Sequence, residues 1–366
     1  MKIIKLASAF TALSLLSGCS FISGLANEIV PEIEIEQPTE PKTNKMPSIT
    51  EVAEELYETE WYSLFCESTA EGNTKTIVPG KIKGREVEKA FINLYSDCPE
   101  VFWLNNIYYT GTAADGTEIS TNIIETLDEE EIPEMREKQE KALDKALDAI
   151  PSGLSDYEKV IFVHDYLIEN TKYDHKGAEA DTTGLYHHAY GCLVNQKAVC
   201  SGYARAFQMI MQELDIESGI CTGSNHAWNY VKIDGDYYWV DVTWDDYDFG
   251  DPVHTYCMIT TEQLMNTRTF DRQQGFVPDC TATEYNFIVQ NGGFFETYDK
   301  DAVLDYIGKN SDKEHCEIMF GSFEAYSEAL NSLIAKSALY KADGIKDKNV
   351  SYYRTDELFT LDIVLK

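Results

Sequence analysis

The chain is poor in positive charge: 30 Lys and Arg stand against 63 Asp and Glu, a formal charge of −33. Such a balance repels nucleic acid and favours solubility, so no nucleic-acid partner is expected. The chain also lacks Cys-x-x-Cys, any Cys/His set with zinc-finger spacing and any EF-hand loop pattern. No metal and no other cofactor is therefore expected. Beyond the first residues no stretch is apolar enough to cross a membrane, and no internal repeat is present. Nine cysteines dispersed over 366 residues exclude a small disulfide-stapled fold.

What is there begins with a leader. Lys2 and Lys5 precede an apolar run from Leu6 to Leu16, and Leu16-Ser17-Gly18-Cys19 has the layout of a bacterial lipobox. Residues 1–19 read as a lipoprotein signal peptide, with Cys19 as the lipidation site. Several acyl chains there would anchor the protein to a membrane at the extracytoplasmic bacterial cell surface. Residues 20–48 hold Pro31, Pro38, Pro41 and Pro47 among Glu, Thr, Asn and Lys. That composition buries too little apolar surface to fold and reads as a disordered tether.

The remainder divides into an N-terminal α/β region at 49–150, a central domain at 151–260 and a C-terminal region at 261–366. A helix is expected from about Ser48 to Leu64, and Asn105-Asn106 between two apolar runs suggests a hairpin turn. Pro133 suits a first helical position, and Pro151 with Gly153 ends that helix. Ser155 and Glu158 form a capping-box signature. The helix they open carries His164 on its apolar stripe, a setting that suits a core histidine. Further on, Val303–Ile307 and Tyr326–Leu339 look helical, and Leu358–Leu365 alternates like a terminal strand. Those last residues carry no motif tied to chemistry.

The informative stretch is Ala189–Phe207. From Ser201 the apolar positions Tyr203, Ala204, Phe207, Met211 and Leu214 recur at helical spacing, which sets Cys200 at a helix N-terminus. Unpaired N–H groups there favour an anion and so a thiolate. Gly202 and Ala204 keep the first turn small and leave the sulfur accessible. A buried structural cysteine, or one half of a disulfide, is the competing reading. Residues 226–233 and 236–244 are β-forming, and Asp234-Gly235 between them is a hairpin signal. A two-residue turn puts His226 one diagonal step from Asp241, and a four-residue turn puts them opposite; either way they share a face. Asp241 interrupts Trp239-Val-Asp-Val-Thr with a charge that calls for a partner, and an imidazole suits it.

Val199-Cys-Ser-Gly-Tyr-Ala204, Asn225-His-Ala-Trp-Asn229 and Tyr238-Trp-Val-Asp-Val-Thr-Trp-Asp245 resemble the core motifs of the transglutaminase-like superfamily, in particular its bacterial lipoprotein forms. Asp97–Trp103 and Glu158–Leu167 are similar to those proteins too. The resemblance implies an α+β, papain-like transglutaminase core, with a cysteine-bearing helix packed on an antiparallel sheet. It implies Cys200 as nucleophile, His226 as base and later acid, and Asp241 as the group orienting His226. Acyl transfer from an amide would follow, to water or to an amine. The Cys200 N–H would serve the oxyanion, with Tyr190, Asn195 and Gln196 as candidates for a second donor. Animal crosslinking enzymes of this family carry tryptophan directly after the cysteine. Ser201-Gly202 stands there instead, which leaves hydrolysis of a protein, peptide or cell-wall peptide substrate at least as open as crosslinking. A non-catalytic surface-binding protein on the same fold is the alternative. Glycan binding or hydrolysis, citing the richness in Tyr and Trp with Asp245, Asp246 and Asp248, is the third reading.

Overall fold

The computed structural model describes residues 35–45, 62, 66, 75–79, 93–94, 96–112, 118–125, 127, 130–176, 184–247, 251–272 and 274–366. The leader, Cys19 and almost all of the helix expected over 48–64 lie outside these residues. Among the described residues no helix is long and apolar enough to cross a membrane.

Among the described residues the chain forms one unit over 42–290 and a second made of 291–366 with 35–41. This division differs from expected boundaries at 150 and 260. The cause is packing: Leu143 and Ala146 share one buried core with Phe207, Val240 and Met258, and Tyr285 and Phe287 pack against it. The segment 35–45, read as part of a tether, is held by hydrogen bonds. In the larger unit Asn44 N–H donates to Met265 O at 2.9 Å and Thr43 Oγ1 to Asn266 Oδ1 at 2.6 Å. In the smaller unit Arg354 Nη1 donates to Glu36 O at 2.8 Å.

The larger unit opens with a sheet of β1 (Lys75–Pro79), β2 (Leu104–Thr112) and β3 (Glu118–Glu125), antiparallel in the order β1-β3-β2. Asn105-Asn106 is not a turn. Strand β2 runs through it, and the only trace is a shift of register between Leu104 and Tyr108. Helix α1 (Ile132–Ala149) carries Pro133 in its first turn, where the missing N–H costs nothing. Helix α2 (Asp156–Asn170) starts at the Ser155 capping box, in which Glu158 N–H donates to Ser155 Oγ and Ser155 N–H to Glu158.

A short parallel pair, β4 (Lys172–Tyr173) and β5 (Lys197–Ala198), brackets helix α3 (Ala189–Leu193). Helix α4 (Cys200–Glu213) follows, with Gly202, Tyr203, Ala206, Phe207 and Ile210 among its buried residues. The central antiparallel sheet takes the order β6-β7-β8-β9: β6 (Ser218–Gly223), β7 (His226–Ile233), β8 (Asp236–Val240) and β9 (Cys257–Ile259). Asp234 (φ 51°) and Gly235 (φ 96°) make the two-residue turn that pairs Ile233 with Asp236. Helix α4 lies on this sheet, and Asn229 Nδ2 joins them, donating to Ala204 O at 3.0 Å and Gly219 O at 3.2 Å. A cysteine-bearing helix on an antiparallel sheet is the α+β, papain-like arrangement.

Two further helices matter below: α5 (Val242–Asp245) and α6 (Thr261–Met265). The smaller unit has a sheet of β10 (Phe294–Phe295), β11 (His315–Phe320), β12 (Val350–Thr355) and β13 (Thr360–Leu365), ordered β10-β11-β13-β12. Helix α7 (Lys300–Lys309) covers the expected Val303–Ile307. The helix expected over Tyr326–Leu339 is broken up: α8 (Phe323–Ala329) widens into a π-helical turn over Leu330–Ala335, and a 3₁₀ turn follows at Ala338–Lys341.

Candidate active site

Cys200 is the first residue of α4, and Val199 is its extended N-cap. The Cys200 N–H therefore has no intrahelical acceptor, and the positive end of the helix faces the sulfur. The residue is half-buried. Gly202, two residues on in the first turn, is fixed by a close approach of another chain segment. A Cβ at this position would lie 2.4 Å from Tyr186 O and 2.8 Å from the Ala198 methyl. Packing against that carbonyl, more than access to the sulfur, sets the small residue here.

His226 is delivered by a tight turn. Ser224 (φ 52°) and Asn225 (φ 61°) both adopt left-handed conformations, so Gly223 pairs with His226 and the imidazole stands at the very start of β7. Gly223 is held for the same reason as Gly202: a Cβ there would meet Thr269 O at 1.8 Å. His226 Nε2 lies 2.7 Å from Asp241 Oδ2. With that nitrogen occupied, Nδ1 is the one left for Cys200.

Asp241 is not a strand residue. Strand β8 stops at Val240, where an extension to Trp244 was expected, and Asp241 becomes the N-cap of α5. Its Oδ1 accepts Trp244 N–H at 3.1 Å, and its own N–H donates to Tyr256 O at 3.1 Å. Aspartate is among the strongest N-cap residues, and that preference wins over the β-branched neighbours Val240, Val242 and Thr243. Oδ1 thus fixes the local backbone while Oδ2 turns to the imidazole.

Oδ2 has a second partner that the sequence did not reveal. Arg268 Nη1 donates to the same oxygen. Both side chains are 1% exposed, so water does not screen the pair. The guanidinium carbon lies 3.8 Å from the Trp244 ring centroid and 5.1 Å from those of Trp228 and Tyr256. Trp228 and Trp244 also flank His226, at 5.9 and 5.5 Å between centroids. Arg268 reaches the site from the loop after α6, and its neighbours Thr267 and Thr269 form no motif or periodic pattern. Only tertiary packing brings it in.

The charges follow from these contacts. Burial works against an ionised Asp241, yet His226 and Arg268 outweigh it and hold the carboxyl at about 2. Burial works against an imidazolium too, but Asp241 and Cys200 push His226 up to about 9. At Cys200, burial and the Asp241 charge oppose a thiolate. His226 and the Ala227 backbone overcome them and lower the thiol from its ordinary value. The arrangement favours a thiolate beside an imidazolium, itself beside a carboxylate. Such a group can attack an electrophilic carbon and return a proton to a leaving group.

Tyr190 is buried against Phe102, at 4.8 Å between centroids, and belongs to a core. Asn195 and Gln196 stand exposed on the turn before β5. The carboxylates cited for glycan binding are committed to structure. Asp245 is buried and accepts Tyr256 N–H at 2.9 Å, and Asp246 accepts Tyr203 Oη at 2.6 Å; Asp248 lies outside the described residues. His164 is fully buried, as a core histidine would be.

Residues 145–249 match the sequence model of the transglutaminase-like superfamily, a span that contains Cys200, His226 and Asp241. No curated protein sequence matches the chain. Two solved structures are similar at low identity. One, described as a TGase, is 15% identical over 49% of this chain and 52% of its own length, with a TM-score of 0.28. The other, a putative cysteine protease from Cytophaga hutchinsonii, is 12% identical over 54% of this chain and 68% of its own, with a TM-score of 0.25. The chain thus spans about half the length of the first of these.

Proposed function

We propose, from the match of residues 145–249 to the transglutaminase-like superfamily, that the protein is a thiol acyl-transfer enzyme. Cys200 Sγ attacks an amide carbonyl, and the tetrahedral oxyanion is met by the Cys200 N–H at the start of α4. His226 gives its proton to the leaving amine as the C–N bond breaks, leaving a thioester. Water or an amine then attacks the thioester carbonyl, His226 takes the incoming proton, and the thiolate departs. Asp241 keeps Nε2 engaged so that Nδ1 faces the sulfur, and it offsets the imidazolium charge throughout. We further propose that lipid at Cys19 holds the enzyme at the cell surface, where peptides, proteins and cell-wall peptides are the amides within reach.

The observation that carries this reading is the 2.7 Å contact between His226 and Asp241 beside a thiol at a helix start. The test is turnover of a glutamine-containing peptide library, with and without a primary amine, read by mass spectrometry. Both routes release the original amine when the thioester forms; hydrolysis then leaves the acyl group as a carboxylate, whereas transfer leaves it as an amide of the added amine. Either product with the wild type and neither with Cys200→Ala supports the proposal. Undiminished turnover in Cys200→Ala overturns it.

A further inference from the structure

A second cluster lies in the same unit and takes no part in the thiol chemistry. Two imidazole nitrogens converge on one carboxylate oxygen: His164 Nδ1 and His254 Nε2 each lie 2.9 Å from Asp165 Oδ1. The three atoms fall within 4.8 Å of one another. His164 and His254 stack with 5.2 Å between centroids, and Phe287 lies against His254 at 3.5 Å, so both rings are held in place. We propose that His164, Asp165 and His254 form a binding site for a divalent transition-metal cation, of which zinc is the type. Neither the absent zinc-finger spacing nor the absent EF-hand loop bears on it, because one ligand is drawn from 89 residues away.

The chemistry of the three groups fits such an ion. Two imidazoles and one carboxylate are a recurrent zinc ligand set, with bonds of about 2.0–2.2 Å. A tetrahedron with bonds of that length has edges of about 3.3 Å. The two 2.9 Å contacts therefore need to open by a few tenths of an ångström, and the two imidazole nitrogens, which lie within 4.8 Å of each other, need to reach the same edge length. Asp165 can make that movement, since its side chain is 32% exposed while those of His164 and His254 are 0% and 8% exposed. The same exposure lets water fill a fourth position.

The surroundings add an independent argument. A metal-bound histidine typically donates its other ring N–H to a carboxylate that fixes its orientation. His164 Nε2 lies 3.2 Å from Asp245 Oδ2. Asp245 is itself fixed by Tyr256 N–H, at 2.9 Å to Oδ1 and 3.1 Å to Oδ2. A bound cation would tie α2 to the segment before β9. Through Asp245 it would also brace α5, the helix that Asp241 caps.

The test uses the full chain carrying Cys200→Ala, so that the thiol beside His226 cannot take the ion. After chelator treatment it is titrated with zinc chloride by calorimetry and with cobalt chloride by visible absorption. We expect one equivalent to bind, the visible bands of four-coordinate cobalt, and a melting temperature raised by about 5 °C once zinc exceeds Kd a hundredfold. His254→Ala and Asp165→Asn should each weaken binding at least about 100-fold, and Asp245→Asn about 10–100-fold. His187→Ala, at a histidine that lies 2.9 Å from Ser201 Oγ and is no part of the cluster, should leave it unchanged. Should His254→Ala fail to fold, Asp165→Asn decides, because that position is part-exposed and the change preserves shape. No saturable equivalent, or an affinity that Asp165→Asn leaves intact, would mean a hydrogen-bonded network only and would overturn the proposal.

Discussion

Replacing Arg268 with methionine isolates the interaction that the sequence did not disclose. Methionine retains much of the length and apolar stem that lie against Trp244, but it removes the charge facing Asp241 Oδ2. Breaking a buried ion pair from one side typically costs about 3–5 kcal/mol, because the other charge stays buried and uncompensated. Asp241 retains His226 and the Trp244 N–H, so the lower end applies, about 3 kcal/mol. For a unit of this size that is a melting temperature lower by roughly 6–12 °C. The charge also acts on the reaction. Arg268 helps keep the site able to hold two anions, Asp241 and the Cys200 thiolate, at once. Its removal should raise the thiol toward its ordinary value and move the acid limb of Cys200 alkylation to higher pH. Calorimetric unfolding and the pH profile of iodoacetamide labelling read the two effects separately. Arg268→Lys restores a charge without the planar fork and should recover the acid limb more than the stability. A loss below about 1 kcal/mol together with an unmoved acid limb in Arg268→Met would refute the argument, since a buried pair cannot be both intact and inconsequential.

Three further outcomes follow from the geometry. In Cys200→Ala, Asp241 still raises His226, whose contribution to stability is complete below about pH 6.5 and is lost as pH rises toward its folded-state value, by about 1–2 kcal/mol. Urea unfolding of that variant from pH 6 to 9 should show the decline, and adding Asp241→Asn should flatten it. Asp241 behaves with the opposite sign: its contribution is present above about pH 3.9 and is lost as pH falls through about 2, so acid unfolding of Asp241→Asn should lack that step. Gly202→Ala forces a methyl to within 2.4 Å of Tyr186 O and should cost about 1–3 kcal/mol, read as a lower urea midpoint; an unchanged midpoint would show that this segment yields freely.

The legible parts of the chain were those written in local chemistry. Helical spacing after Ser201 placed Cys200 at a helix start, Ser155 and Glu158 announced their capping box, and Asp234-Gly235 announced its turn. Each of these signals acts within a few residues, so no tertiary context was needed to read it. Asp241 was legible as a partner for His226 but not as a helix cap, because the β-forming residues around it carry the opposite local signal. Arg268, and the meeting of His254 with Asp165, were not legible at all. Both depend on loops whose sequence has no period, His254 on the one that leads into β9 and Arg268 on the one after α6. The division near residue 290 was hidden for a related reason: side chains on either side of residues 150 and 260 enter one core, and packing leaves no mark in composition.

The central claim is that Cys200 stands as a thiolate beside an imidazolium, and its alkylation rate against pH tests that most directly. Iodoacetamide labelling of each cysteine, mapped by mass spectrometry from about pH 5 to 9, spans both ordinary and perturbed thiols. The account predicts fast labelling of Cys200 below neutral pH, slowed to an ordinary thiol profile in His226→Ala. Labelling of Cys200 that rises only near its ordinary pKa, with no change in His226→Ala, would contradict it.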